Sequence, residues 1–141
     1  MRDELRRSAL GALSGLRATW PMTAVLVAAS RAGLLDELPP LKIVHHLLPG
    51  LDERTARGLA AVAHAAYGAG AGAVLAALAP AAPLKPRATV GYALLVWLLS
   101  YQGWVPVAGV MPPVIRDRPG RVLSIALAHV VWGAMLRSPG R

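Results

Sequence analysis

Two histidines stand inside apolar stretches of this chain and share one local pattern, Ala63-His64-Ala65-Ala66-Tyr67-Gly68-Ala69 and Ala128-His129-Val130-Val131-Trp132-Gly133-Ala134. In each, the imidazole lies four residues before a glycine. On a helix the ring and the bare backbone patch then share one face, and that face must meet another helix. Imidazole offers three roles in such a place: a hydrogen bond that fixes helix packing, a proton acceptor with an unperturbed pKa of about 6.5, or an axial ligand to haem iron. Side chains that can join the histidines at matching depth are Ser100, Tyr101 and Gln102 in the third apolar stretch and Thr23 in the first. Arg17 is the one permanent charge inside such a stretch. At 1.5 Å per residue it lies about 14 Å along a helix begun at Ser8, so it must point inward, toward an anion or a headgroup, or snorkel to the surface. The expected pocket therefore comprises His64, His129, Tyr101, Gln102, Ser100, Thr23 and Arg17.

Other chemistries lack their residues. With no cysteine there is no disulfide, thiolate metal site or cysteine nucleophile. No carboxylate lies inside an apolar stretch, and no Ser-His-Asp set, carboxylate pair or phosphate-cradling glycine loop is present, so the reading leans away from an enzyme. The adjacent His45 and His46 diverge by about 100° on a helix of 3.6 residues per turn, which suits an interfacial helix better than a shared metal. No metal site is assigned; haem on His64 and His129 is the cofactor reading kept open.

The elements that must position these residues follow from composition. At 141 residues, 55% hydrophobic and only 16% charged, with a positive mean hydropathy, the chain is too apolar for its size to bury everything in a water-soluble core. The net charge of +8 is spread over termini and connections without a basic, aromatic-studded face, which argues against nucleic acid and for anionic lipid headgroups. The expectation is an all-α integral membrane four-helix bundle forming a single transmembrane domain over 1–141, with spans near 8–30, 56–79, 88–106 and 122–137 and an interfacial segment near 41–48.

Met1 to Ser30 could be a signal peptide, but an apolar run of about twenty residues suits a retained span better than a signal core of about 7–15. In that span Gly11 and Gly15 form a small-xxx-small face, and Trp20-Pro21 is expected to kink it. Asp52 is placed to cap the second span, where Gly68 and Gly72 repeat the small-residue spacing. Trp97, Tyr101 and Trp104 fall at i, i+4 and i+7 on one face of the third span. The fourth stretch, 122–136, gives only about 22 Å of helix at 1.5 Å per residue, so Arg121 and Arg137 are expected to snorkel to the two interfaces.

Each half reads as a span, a Pro-Pro connection and a span carrying His-x-x-aromatic-Gly, a parallel 2+2 internal repeat. The spacing is unequal, 25 residues from Pro39 to His64 and 17 from Pro112 to His129. Flanking cations tie at seven a side, Arg2, Arg6, Arg7, Lys85, Arg87, Arg137 and Arg141 against Arg31, Lys42, Arg54, Arg57, Arg116, Arg118 and Arg121. The three arginines ahead of the first span break the tie toward cytoplasmic termini.

Gly11-Ala12-Leu13-Ser14-Gly15 with Pro21-Met22-Thr23, Leu38-Pro39-Pro40, Ser100-Tyr101-x-Gly103-Trp104-x-Pro106 and the two His-x-x-aromatic-Gly units together resemble small bacterial inner-membrane proteins of the YagU-like group. The resemblance implies a multi-pass inner-membrane location and brings no activity with it. Three functions stay open on the residues: a binding or conduction bundle with an inward His/Tyr/Gln pocket, a bis-histidine haem or metal-binding electron-transfer protein, and an accessory subunit of a larger membrane complex or homo-oligomer.

Overall fold

A computed structural model describes residues 2–79 and 84–136. All regular structure among them is helical. Helix α1, Arg2–Arg31, opens with Asp3 and Glu4 against its positive end and closes with Arg31 against its negative one. It stops where Gly33 turns left-handed at φ 74°, which lets the Leu34 N–H reach back to the Ala29 carbonyl at 3.0 Å. The helix is continuous through Pro21, so the expected kink does not break it.

Helix α2, Pro39–Leu47, starts two residues before the expected interfacial segment, because Pro39 and Pro40 occupy the first turn, where a missing N–H costs nothing. Asp52 caps α3, Glu53–Leu78, as expected: its carboxylate accepts from the Arg54 and Thr55 N–H groups, each at 3.1 Å. Of the proline-punctuated connection that follows, 80–86, residues 80–83 lie outside the described residues. Helix α4, Pro86–Leu99, runs into a π-turn, Ser100–Trp104, and a last turn, α5, Val105–Val107. Pro106 has no N–H to give the carbonyl four residues back, and the backbone widens there: Val105 N–H bonds Ser100, five residues back, and Gly103 leaves helical geometry at φ −97°, ψ −108°. A 3-10 turn, Val114–Arg116, leads into α6, Pro119–Met135.

In space the helices follow one another as α3, α1, α6, α4, while α3 and α4 do not pack closely. The α1/α3 crossing is antiparallel and almost bare of side chains. A methyl group added at Gly15 would strike the Gly68 carbonyl, and one at Gly72 would strike that of Gly11. At the α4/α6 crossing a methyl on Gly133 would sit 2.7 Å from Ala93 Cβ and 2.8 Å from the Thr89 carbonyl oxygen. Small residues thus let backbones meet where the sequence spacing placed them.

Among the described residues, two helical units are long and apolar enough to cross a membrane: Glu53–Leu78 and Pro86–Val107. The other two expected spans fall short. Helix α1 has the length, 30 residues, but mixes Arg17 with serine, threonine and glycine, and α6 has only 17 residues. Arg121 also departs from expectation. It lies inside α6, 7% exposed, and its guanidinium turns into the protein to meet Asp117 and Asp36, so it does not snorkel. Arg137 lies outside the described residues.

Candidate functional site

All four long helices and α2 contribute to one cleft of about 210 Å³ with nearly apolar walls. Helix α1 supplies Thr19, Met22 and Leu26; α3 supplies His64 and Tyr67; α6 supplies Ile125, His129 and Trp132. Trp97, Ser100, Tyr101 and Trp104 close it from the α4 side, Tyr101 stacked on Trp97 with ring centroids 6.0 Å apart. Its rim carries the exposed Ala63 and Tyr67 on one side and Trp104 on the other, so it opens through the seam between α3 and the end of α4.

Hydrogen-bond donors and acceptors decide what this cleft offers. His129 Nδ1 lies 2.8 Å from the Ile125 carbonyl oxygen, which can only accept, so the proton sits on Nδ1 and Nε2 keeps a lone pair. His64 Nδ1 lies 3.4 Å from Thr23 Oγ1, whose single hydroxyl proton is already donated to the Thr19 carbonyl at 2.8 Å. Thr23 can therefore only accept from His64, and Nε2 again keeps the lone pair. No hydrogen bond among the described residues engages either Nε2. The Trp97 indole N–H is buried and unpartnered. The two Nε2 lone pairs are therefore the unengaged imidazole acceptors of the cleft, while the Trp97 N–H is buried behind its wall.

The remaining polar lining groups are occupied. Ser100 donates to the Val96 carbonyl at 2.8 Å, so the 2.7 Å contact with Tyr67 is a donation from the Tyr67 hydroxyl to Ser100 Oγ, and it ties the rim across the seam. Lower on the same seam Tyr92 donates to the Ala71 carbonyl at 2.7 Å. Thr19 returns its hydroxyl to the Gly15 carbonyl at 2.9 Å. Tyr101 presents its ring to the cleft but donates its hydroxyl to Asp117 Oδ2 at 2.6 Å.

Behind Tyr101 lies a charge network. Arg121 donates to Asp117 at 3.1 Å and to Asp36 at 2.7 Å, and Asp36 also pairs with Lys42 at 3.0 Å. The Asp117 side chain is 2% exposed, so Arg121 neutralises a carboxylate that water barely reaches. At Asp36 burial pushes the carboxyl upward, but the Lys42 hydrogen bond and the Arg121 charge outweigh it and hold the group at about 2.

The structure brings His64, His129, Ser100 and Tyr101 together on one cleft and leaves three expected members elsewhere. Gln102 is exposed, and its side-chain oxygen accepts from the Val114 N–H at 3.0 Å; the π-turn has rotated it off the inward face. Arg17 is exposed on the outer side of α1, since the inner side is taken by Gly15, Ala18 and Thr19. Thr23 does not line the cleft but stands behind His64 as its hydrogen-bond partner. Sequence reasoning missed the Asp36–Arg121–Asp117 network; the i, i+4 spacing of Asp117 and Arg121 is the signal that could have found it.

His45 is held at both ring nitrogens, by Glu37 at 2.6 Å and Glu53 at 3.2 Å, clasping the α1–α2 connection, α2 and α3 together. Among the described residues no three histidines, cysteines or carboxylates converge as a metal site, so the two cleft imidazoles are the atoms that could ligate haem iron. In comparisons with known proteins, no family model, no curated protein and no solved structure matches this chain.

Proposed function

We propose that this chain is a multi-pass bacterial inner-membrane protein, of the YagU-like kind, whose cleft binds an uncharged small molecule drawn from the bilayer. In this reading α1, α3, the α4–α5 unit and α6 all span the membrane as a four-helix bundle with a parallel 2+2 repeat. The termini are cytoplasmic and the basic flanks rest on anionic headgroups. The equivalent use of Gly68 and Gly133, each where its helix crosses the first long helix of its own half, supports the repeat. The aromatics beside them argue the other way, since Tyr67 is 48% exposed and Trp132 only 2%.

The observation that carries the binding function is the position of the cleft mouth. It opens between the two most membrane-compatible helices, whose outer faces expose Val62, Val74, Leu78, Leu95 and Leu99. A solute dissolved in hydrocarbon meets that seam before it meets water. Binding is favoured over conduction because the far end of the cleft meets the backbone crossing of Gly15 with Gly68, with Trp132 hydrogen-bonded across it. Among the described residues no charged side chain lines the cleft, and Ser100 donates its hydroxyl to the Val96 carbonyl rather than to a histidine, so catalysis has no support.

The test is photolabelling of the full chain in lipid vesicles with an alkyl diazirine, followed by peptide mapping. Labels on cleft residues such as Ala63 and Val96, lost when excess unlabelled alkane is added, are the expected result. Labels confined to the outer faces of α3 and α4 would overturn the reading and favour an accessory subunit that docks through those faces.

One observation favours haem as a second reading: both histidines leave Nε2 open and line one cleft. The volume of about 210 Å³ lies below the roughly 300–1,000 Å³ of ordinary small-molecule pockets, so a macrocycle would have to part the helices. A Soret band in the purified protein would establish it.

A further inference from the structure

We infer that the molecule held in the cleft is a membrane alcohol, an apolar chain ending in a hydroxyl group that reaches the histidines. The inference rests on the binding function proposed above and adds the chemistry of the ligand.

Charge narrows the choice first. Among the described residues no cationic or anionic side chain lines the cleft, so a fatty-acid carboxylate, a phosphate headgroup or an ammonium would enter an apolar site without a counter-charge. Hydrogen-bond polarity narrows it further. The free valences are lone pairs on His64 Nε2 and His129 Nε2, while the hydroxyl protons of Ser100, Tyr67, Thr19 and Tyr101 are already donated elsewhere. A ketone, ester, ether or quinone carries acceptors only. It would set oxygen lone pairs against imidazole lone pairs. A hydroxyl is the smallest uncharged group that donates a strong hydrogen bond, so it suits the open imidazole nitrogens. Size agrees with a head-first pose. About 210 Å³ accommodates the hydroxyl and the first carbons, and the rest of the chain leaves through the α3–α4 seam into hydrocarbon.

The histidine tautomers explain why this polarity is built in. Ile125 and the Thr23–Thr19 pair each fix an imidazole by its Nδ1 side, so neither ring can present a proton to the cleft without giving up that bond. Two rings from different helices, α3 and α6, are set in the same sense. Packing alone does not require that.

The experiment uses the full chain in mild detergent and three probes of equal length, each brominated on the chain: a primary alcohol, its methyl ether and the matching ketone. Quenching of tryptophan fluorescence reports binding, because Trp97, Trp104 and Trp132 line the cleft. The alcohol is expected to bind about tenfold more tightly than the ether or the ketone, the loss set by one buried acceptor left unpaired. His64→Leu or His129→Leu should bring that ratio toward one. Equal affinity of the three probes for the unaltered chain, or preference for the ketone, would overturn the alcohol assignment and leave a general apolar cleft standing. No saturable quenching by any probe would instead remove the binding function on which it rests. The probe ratio is read on the unaltered protein, so it decides the matter even where a histidine variant does not fold.

Discussion

Trp132 Nε1 donates to the Gly15 carbonyl at 3.1 Å, a bond between residues 117 apart in sequence that pins α6 to α1 where α1 and α3 cross. That carbonyl also receives the Thr19 hydroxyl, so the crossing is held by backbone contact and by polar groups together. Trp132→Phe keeps most of the ring but removes the donor, and it should lower stability by about 1 kcal/mol. Thermal unfolding in detergent measures it; an unchanged midpoint would show that the bond adds nothing.

Two glycines of one helix should behave oppositely. A side chain at Gly72 would come within 2.9 Å of the Gly15 Cα, so Gly72→Val should cost about 3 kcal/mol or more, or prevent folding. Gly70 has nothing within 4 Å of an added methyl, and Gly70→Ala should stabilise by about 0.5–1 kcal/mol through the unfolded chain. Comparable losses from both would mean that α1 and α3 do not meet at Gly72.

Arg121→Met leaves the carboxylate of Asp117, 2% exposed, without its cation, and should destabilise by about 3–5 kcal/mol. Adding Asp117→Asn should recover most of that loss, because the amide carries no charge and its oxygen still accepts from the Tyr101 hydroxyl. A double variant no better than Arg121→Met would show that the cost came from lost packing of the arginine stem.

The acid limb of stability should contain a share from Asp36. Its carboxyl is held at about 2 in the folded chain against an ordinary 3.8, because Lys42 and Arg121 outweigh its partial burial. A depressed carboxyl stabilises the fold fully above the unfolded value, and that contribution fades as pH falls from about 3.8 through about 2. Between pH 4 and 2 the unfolding midpoint of Asp36→Asn should therefore fall less steeply than that of the unaltered chain. Parallel slopes would place the acid sensitivity elsewhere.

Tyr67→Phe removes the hydroxyl that bridges the seam to Ser100. Tyr67 is 48% exposed, so stability should change by less than about 0.5 kcal/mol. The rim, however, loses its cross-tie, and a bound bromo-alcohol should dissociate several-fold faster in stopped-flow fluorescence. An unchanged off-rate would show that ligand does not pass between Tyr67 and Ser100.

Local pattern was enough for much of this. The cap at Asp52, the apolar units 53–78 and 86–107, the glycine faces of α1 and α3, and the shared face of His64 with Gly68 and His129 with Gly133 all depend on residues within one or two helical turns. Helix geometry fixes such relations wherever the helix is finally placed. What depended on neighbours was not legible. Arg121 reads as an interfacial cation until Asp36 arrives 85 residues away. Gln102 reads as inward until the π-turn before Pro106 rotates it to Val114. Both Nε2 atoms become free acceptors only because the helices arrange themselves as α3, α1, α6, α4 and leave one seam unpacked. Periodicity states which residues share a face, but which faces meet is decided by the glycine-permitted backbone contacts between distant segments, and those exist only in the folded chain.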